Sequence, residues 1–146
     1  MENYKRLSGV VVKVNGECLL CKRNGKSSYP NMWSIPAGHV EKDESTKEAA
    51  YREFYEETDI NIDNYDLDFV GILPKRKKTD GSIKGMMYVY LLNTHEYMYP
   101  NLETAQDGHE HTECGYFGLD KVNNMDTGVY LKTILQNIFE KDWTFQ

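Results

Sequence analysis

The sequence predicts a mixed α/β domain, because runs rich in β-branched residues alternate with two stretches of helical composition and spacing. The clearest strand signal is Asn15-Gly16, which separates two such runs near the N-terminus. The clearest helical signals cover residues 45–58 and 129–139. A chain of 146 residues has the size of one domain. We therefore predict a single domain over residues 1–146.

Composition narrows the class of protein. Hydrophobic residues make up 40% and charged residues 27%, which is typical of a folded domain and not of a disordered chain. The net charge of −6 does not favour nucleic-acid binding by the whole surface. No apolar run approaches the roughly 20 residues of a membrane-spanning helix, and the N-terminus lacks a secretory signal. We expect a cytoplasmic protein without membrane contact.

The first half of the chain predicts a hairpin, an extended segment and a helix. Asn15-Gly16 suits the positive-φ positions of a two-residue turn, so the flanking runs should pair as strands. Residues 33–38 read as a brief extended segment that ends in a turn. Residues 45–58 lack Gly and Pro, and Asp43 or Ser45 can cap the helix that they predict.

The second half predicts three strands and a closing helix. The strands are expected over residues 66–73, where Pro74 follows, over 86–92 at the centre of a sheet, and over 114–119. Between the first two lies a basic loop from Lys75 to Lys84, which holds five of the 17 basic residues. Residues 129–139 carry apolar side chains at helical spacing.

Three cysteines, an odd number in a chain without a signal, do not predict a disulfide framework and favour a reducing compartment. A zinc site remains an alternative, in which Cys114, His109 and His111 would complete a site begun by Cys18 and Cys21. Residues three apart on a strand point to opposite faces, however, so Cys18 and Cys21 should not converge on one ion. We expect ordinary strand cysteines.

The predicted helix over residues 45–58 gathers acids on one side. On a helical wheel, Glu53, Glu56 and Glu57 fall within an arc of about 100°. Carboxylates at this spacing repel each other unless a cation lies among them, so a divalent metal site is one explanation. The other is a solvated salt-bridge ladder in which Arg52 pairs with Glu48 and Glu56.

The residues around this helix form a longer pattern, which resembles the signature of the Nudix hydrolases. Its fixed positions are in register here: Gly38, Glu44, Arg52, Glu53, Phe54, Glu56, Glu57 and Ile60. Only the second glycine of the signature departs, because Asp59 stands there, at a helix end that often needs left-handed backbone geometry. The resemblance implies the Nudix fold, an α/β architecture in which a mixed β-sheet is sandwiched between helices.

The resemblance also implies roles for these residues. Glu53, Glu56 and Glu57 would bind Mg²⁺ or Mn²⁺, helped by the backbone carbonyl of Gly38, and oxygen ligands suit such hard cations. Glu44 would pair with Arg52 to brace the loop against the helix. We expect Glu57 at the exposed edge of the helix, so that Glu57→Gln should abolish turnover and leave the fold intact.

The reaction implied is attack of water on one phosphorus of a pyrophosphate, which requires a general base. Glu110 is the first candidate, for the base and as a further metal ligand; Glu113 and a glutamate of the helix are alternatives. The substrate would be a nucleoside diphosphate linked to another group, such as ADP-ribose, a dinucleoside polyphosphate or FAD, and a nucleoside monophosphate would be released. Lys75 and Arg76 are expected to contact its phosphates, and Tyr88 to stack on a ring.

Three other functions stay possible on the sequence. One is a Nudix module that senses a nucleotide without cleaving it. Another is removal of a 5′ cap from RNA, with the basic loop along the RNA backbone. The last is a zinc-binding interaction domain. The sequence also leaves a homodimer open.

Overall fold

A computed structural model describes residues 5–26, 30–77, 79–106 and 110–140. The strands are β1 (Lys5–Val14), β2 (Glu17–Arg23), β3 (Trp33–Ser34), β4 (Ala37–His39), β5 (Asp68–Arg76), β6 (Ile83–Thr94) and β7 (His111–Gly118). The helices are α1 (Thr46–Thr58), α2 (Leu119–Val122) and α3 (Val129–Glu140). In this part of the chain, no helix has the length and apolar character needed to cross a membrane.

The strands form one mixed sheet of seven strands. The order is β3-β2-β1-β6-β5, while β4 pairs with β1 and β7 with β2. Strands β1 and β6 are parallel over ten residue pairs, and the other pairings are antiparallel. The hairpin predicted at Asn15-Gly16 is confirmed: both residues have positive φ, and Val14 lies opposite Glu17.

The core has two layers, because each face of the sheet carries a helix. On one face, Ala50 and Phe54 of α1 pack against Val10 and Val12. On the other face, α3 packs into a second cluster. The helix contributes four buried side chains to it: Leu131, Ile134, Leu135 and Ile138. Burial of these side chains stabilises the fold by about 25 cal/mol for each Å² of apolar surface removed from water. The predicted sheet between helices is therefore confirmed.

Several predicted boundaries are wrong. The segment over residues 33–38 is two short strands, so Gly38 lies within β4 and not in a turn. Strand β5 continues through Pro74 to Arg76, because β5 is the last strand in the sheet order and proline is tolerated on an edge strand. The basic loop is correspondingly short: Lys75 and Lys84 lie on strands, and Lys78 is outside the described residues.

Helix α1 begins and ends where the sequence predicts. Ser45 is the N-cap, and its hydroxyl accepts a hydrogen bond from the Glu48 amide while the Glu48 carboxylate accepts one from the Ser45 amide. Asp59 ends the helix with φ 61° in the left-handed region. Its carboxylate also accepts a hydrogen bond from the Thr104 hydroxyl at 2.6 Å. The side chain at residue 59 therefore has a partner that glycine would lack.

The expectation that all cysteines are free is wrong for two of them. Cys21 of β2 lies directly opposite Cys114 of β7, and their sulfurs form a disulfide. The sequence hides this pairing because 93 residues separate the two positions. Neither sulfur is then available for the zinc site considered above, and His109 lies outside the described residues. Cys18 is a buried thiol whose pKa is raised to about 12, mainly by burial.

Candidate active site

The acidic side of α1 is organised by one cation, Arg52. Its Nε and Nη2 donate to both oxygens of Glu44, at 2.7 and 2.9 Å. Nη2 also donates to the backbone carbonyl of His39 at 2.9 Å. The hydrogen bonds from Arg52 outweigh partial burial and lower the pKa of Glu44, while the same contacts raise the pKa of Arg52. This forked pair ties the loop before α1 to the helix.

Arg52 also reaches two of the three clustered carboxylates. Its Nη1 donates to Glu53 at 2.9 Å and to Glu56 at 2.7 Å. The Arg52–Glu56 half of the predicted salt-bridge ladder is therefore present, whereas Glu48 caps the helix. The positive charge of Arg52 offsets the repulsion between Glu53 and Glu56.

Glu53 lies between α1 and β4, directly against the backbone of Gly38. A Cβ atom on Gly38 would overlap the Glu53 carboxylate, so no larger residue fits there without displacing it. Burial raises the pKa of Glu53 against the hydrogen bond from Arg52, and the charges of Glu56 and Glu110 raise it further. Glu110 therefore lies close enough to act on the same cluster, at the start of β7.

The expectation that Glu57 lies at an exposed edge of the helix is wrong. Glu57 is 2% exposed and points to the buried side of α1, where its Oε1 lies 3.7 Å from Nδ1 of His111. His111 is the first residue of β7 and is 3% exposed. Sequence reasoning considered His111 only for zinc. Its place next to Glu110 was the one signal that it belongs with the glutamates.

The donors fit a hard divalent cation. They are carboxylates of α1, the carboxylate of Glu110 and the backbone of Gly38, and oxygen is the ligand atom that Mg²⁺ and Mn²⁺ prefer. The contact between Gly38 and Glu53 puts the backbone of Gly38 against one of these carboxylates. Within the described ranges, no three His, Cys, Asp or Glu side chains already surround one point. Arg52 holds Glu53 and Glu56 instead.

A cavity of about 470 Å³ lies on the α3 face of the sheet and borders β4. Ala37 and His39 line it, and they flank Gly38 on β4. Trp33, Met87 and Leu131 supply apolar wall. The volume falls in the range of pockets for small ligands and cofactors, about 300–1,000 Å³. Because side chains alternate along a strand, Ala37 and His39 face the cavity while Gly38 faces Glu53, so β4 separates the cavity from the carboxylates.

The structure brings two of the three expected substrate contacts to this cavity. Lys75 and Arg76 line it, and Nε of Arg76 donates to the Tyr130 hydroxyl at 3.2 Å. Tyr88 does not reach the cavity. Side chains alternate along β6, so Met87 faces the cavity while Tyr88 packs on the α1 face, with its ring 6.2 Å from that of Phe69. The aromatic residues that line the cavity are Trp33 and Tyr130.

Known proteins resemble this chain in sequence and in fold. The family model described as NUDIX domain matches residues 4–136. The crystal structure of MutT protein from Methanosarcina mazei Go1 superimposes with a TM-score of 0.75 over 98% of both chains. Sequence identity to that protein is 22%, so the likeness concerns the fold.

Two curated proteins match part of the chain. The m7GpppN-mRNA hydrolase NUDT17 of Danio rerio is 42% identical over 55 residues, which are 36% of this chain and 18% of that protein. Phosphatase NudJ of Escherichia coli K12 is 45% identical over 53 residues, 35% of this chain and 32% of that protein. The matched segments thus span between about a fifth and a third of these relatives.

Proposed function

The chain belongs to the NUDIX domain family, and on that premise we propose that it hydrolyses a pyrophosphate bond. The substrate is a nucleoside diphosphate linked to another group, and one product is a nucleoside monophosphate. The observation that carries this proposal is that both features share the short strand β4: Gly38 contacts the Glu53 carboxylate, and its neighbours Ala37 and His39 line a cavity of nucleoside size.

The roles of the glutamates follow from their positions. Glu53, Glu56, Glu57 and Glu110, with the carbonyl of Gly38, would hold the metal, which when bound neutralises the charge that develops on the phosphoryl oxygens. Glu44 and Arg52 fix the loop that carries β4 against α1. We assign to Glu110 the role of the base that accepts the proton of the attacking water; its charge acts on Glu53 of the same cluster.

The cavity favours a small nucleotide. Trp33 and Tyr130 offer aromatic surface to a base or flavin ring, and Lys75 and Arg76 give the wall a positive charge that suits an anionic ligand. These features suit ADP-ribose, dinucleoside polyphosphates and FAD. A second candidate is removal of a 5′ cap from RNA, which the name of the Danio rerio relative supports. Steep salt dependence of RNA binding would favour it over the small-molecule reaction.

The experiment is product identification by chromatography. The protein and its Glu57→Gln variant are incubated with Mg²⁺ and, in turn, with ADP-ribose, dinucleoside polyphosphates, FAD, NADH, nucleotide sugars, nucleoside triphosphates and capped RNA. Cleavage by the wild type alone supports the proposal, and the fastest substrate identifies the leaving group. Binding of a nucleotide without cleavage would contradict it in favour of a sensing module. Equal turnover by Glu57→Gln would contradict the role given to Glu57.

A further inference from the structure

The cavity on the α3 face of the sheet has a charge opposite to that of the chain. The net charge of the protein is −6. Among the described residues that line the cavity, five are lysine or arginine and none is acidic; they are Lys5, Arg23, Lys75, Arg76 and Lys84. An acidic protein therefore presents a locally positive cavity, which attracts anionic ligands.

Three of these cations lie on strands on the two sides of β1. Arg23 is the last residue of β2, whereas Lys75 and Lys84 lie on the paired strands β5 and β6. Strand β1 separates β2 from β6 in the sheet, yet all three side chains border the same cavity. Burial lowers the pKa of Lys75, and the charges of Arg23 and Lys84 lower it further. An anion placed between them would relieve this repulsion.

Lys75 in this positive group is separate from the α1 carboxylates, whereas Arg23 lies opposite His111 on β7. Gly38 contacts Glu53 from β4, and three strand steps, from β4 through β1 and β6, lead to Lys75 on β5. At the usual strand spacing that is about 14 Å across the sheet. A phosphate held near Lys75 is therefore not the phosphate that is attacked beside Glu53. Apolar residues, among them Met87 and Leu131, also line the cavity.

We propose that Arg23, Lys75 and Lys84 form a subsite for a phosphate group that the substrate carries in addition to its scissile pyrophosphate. The inference rests on the proposed function for the position of the pyrophosphate. The substrate class becomes a nucleoside pyrophosphate whose nucleoside half, or the unit attached to it, bears a further phosphate. Guanidinium and ammonium groups bind such an anion through charge-assisted hydrogen bonds.

The test is calorimetric binding of probes that differ in one phosphate. AMP is compared with adenosine 2′,5′-bisphosphate, with adenosine 3′,5′-bisphosphate and with the dinucleotide pApA. We expect at least one probe with a second phosphate to bind about tenfold more tightly than AMP, the size of one charge-assisted hydrogen bond. Preference for a bisphosphate identifies a phosphate monoester as the ligand; preference for pApA identifies an RNA-like diester.

Lys75→Met should remove this preference, and Lys84→Met serves as the second variant if Lys75→Met does not fold. Lys77→Met is the matched control, because Lys77 is exposed on the same hairpin and does not line the cavity. Equal affinity for AMP and all three probes, or no binding of any of them, would overturn the subsite. An equal loss in Lys77→Met and Lys75→Met would overturn it as well.

The same preparations separate this inference from the proposed function. Mg²⁺-dependent cleavage by the wild type, without any preference for a second phosphate, would leave the hydrolase and remove the subsite. A preference abolished by Lys75→Met, without cleavage of any pyrophosphate, would leave the subsite and remove the hydrolase.

Discussion

Gly38 and Glu53 are in direct contact, so that a methyl group on Gly38 would occupy the space of the Glu53 carboxylate. The contact joins the short strand β4 to α1, and Arg52 reinforces it by donating both to Glu53 and to the carbonyl of His39. The position of the acidic cluster therefore depends on a residue without a side chain.

We predict that Gly38→Ala lowers kcat by about tenfold to 100-fold, the usual cost of disturbing groups that orient a metal ligand. Gly25→Ala is the control, because the nearest side-chain atom to its added methyl group is 4.0 Å away. Steady-state kinetics and thermal unfolding are measured for both. Normal kcat in a folded Gly38→Ala protein would show that the position of Glu53 is not critical.

Glu110 and Glu113 can be distinguished by kinetics. The Glu110 backbone is anchored by a hydrogen bond to the Asn24 amide, and its charge acts on Glu53. Glu113 is exposed on β7, paired in register with Lys22. We predict that Glu110→Gln lowers kcat by about 10²–10⁴, as expected for a general base, and that Glu113→Gln changes it less than about twofold. The reverse order would assign the base to Glu113.

Stability should depend on pH through Glu44. Arg52 lowers the pKa of Glu44 in the folded protein below its ordinary value of 4.5. The pair therefore stabilises the fold above that pH, and the contribution is lost as the pH falls through the folded-state pKa. We predict that Glu44→Gln is less stable at neutral pH by about 1 kcal/mol, and that its unfolding free energy falls less steeply between pH 5 and about 3.

Urea unfolding at a series of pH values measures this difference. Glu103→Gln is the control, since Glu103 is an exposed carboxylate outside the Arg52 network. Parallel pH profiles for Glu44→Gln and the wild type would show that the forked pair does not stabilise the fold.

The disulfide predicts a count of reactive thiols. Unfolded without reductant, the protein should expose one thiol, from Cys18, and after reduction three. Because the bridge joins residues 93 apart, its reduction should lower the unfolding free energy by about 4.6 kcal/mol on the chain-entropy account. A thiol-reactive chromophore in denaturant gives the count. Three thiols before reduction would contradict the bridge.

Local signals predicted much of the fold. Asn15-Gly16 marks its hairpin, Ser45, one of the two predicted caps, begins α1, and Asp59 takes the left-handed position that ends the helix. Each depends on residues close in sequence, where backbone propensity and capping decide the structure. Strand ends were less predictable: β5 passes through Pro74 because of its place at the edge of the sheet, which no local pattern records.

Long-range contacts could not be predicted from the residues alone. The pairing of Cys21 with Cys114, and of Glu57 with His111, requires the register between β7 and distant elements. The prediction that Tyr88 contacts the substrate is wrong because the sequence does not show which side chains of β6 face the cavity. The α1 glutamates could be predicted because they lie within one helix, where spacing fixes their side.

The central claim is that water attacks a pyrophosphate beside the α1 carboxylates. The direct measurement is mass spectrometry of the products formed in oxygen-18 water with Mg²⁺, for the wild type and for Glu53→Gln, using the substrates of the chromatographic panel. We predict that the wild type releases a nucleoside monophosphate, that one oxygen-18 atom enters one of the two phosphate products, and that Glu53→Gln forms neither product at a comparable rate. Unlabelled products, no cleavage, or equal rates for the two proteins would contradict the claim.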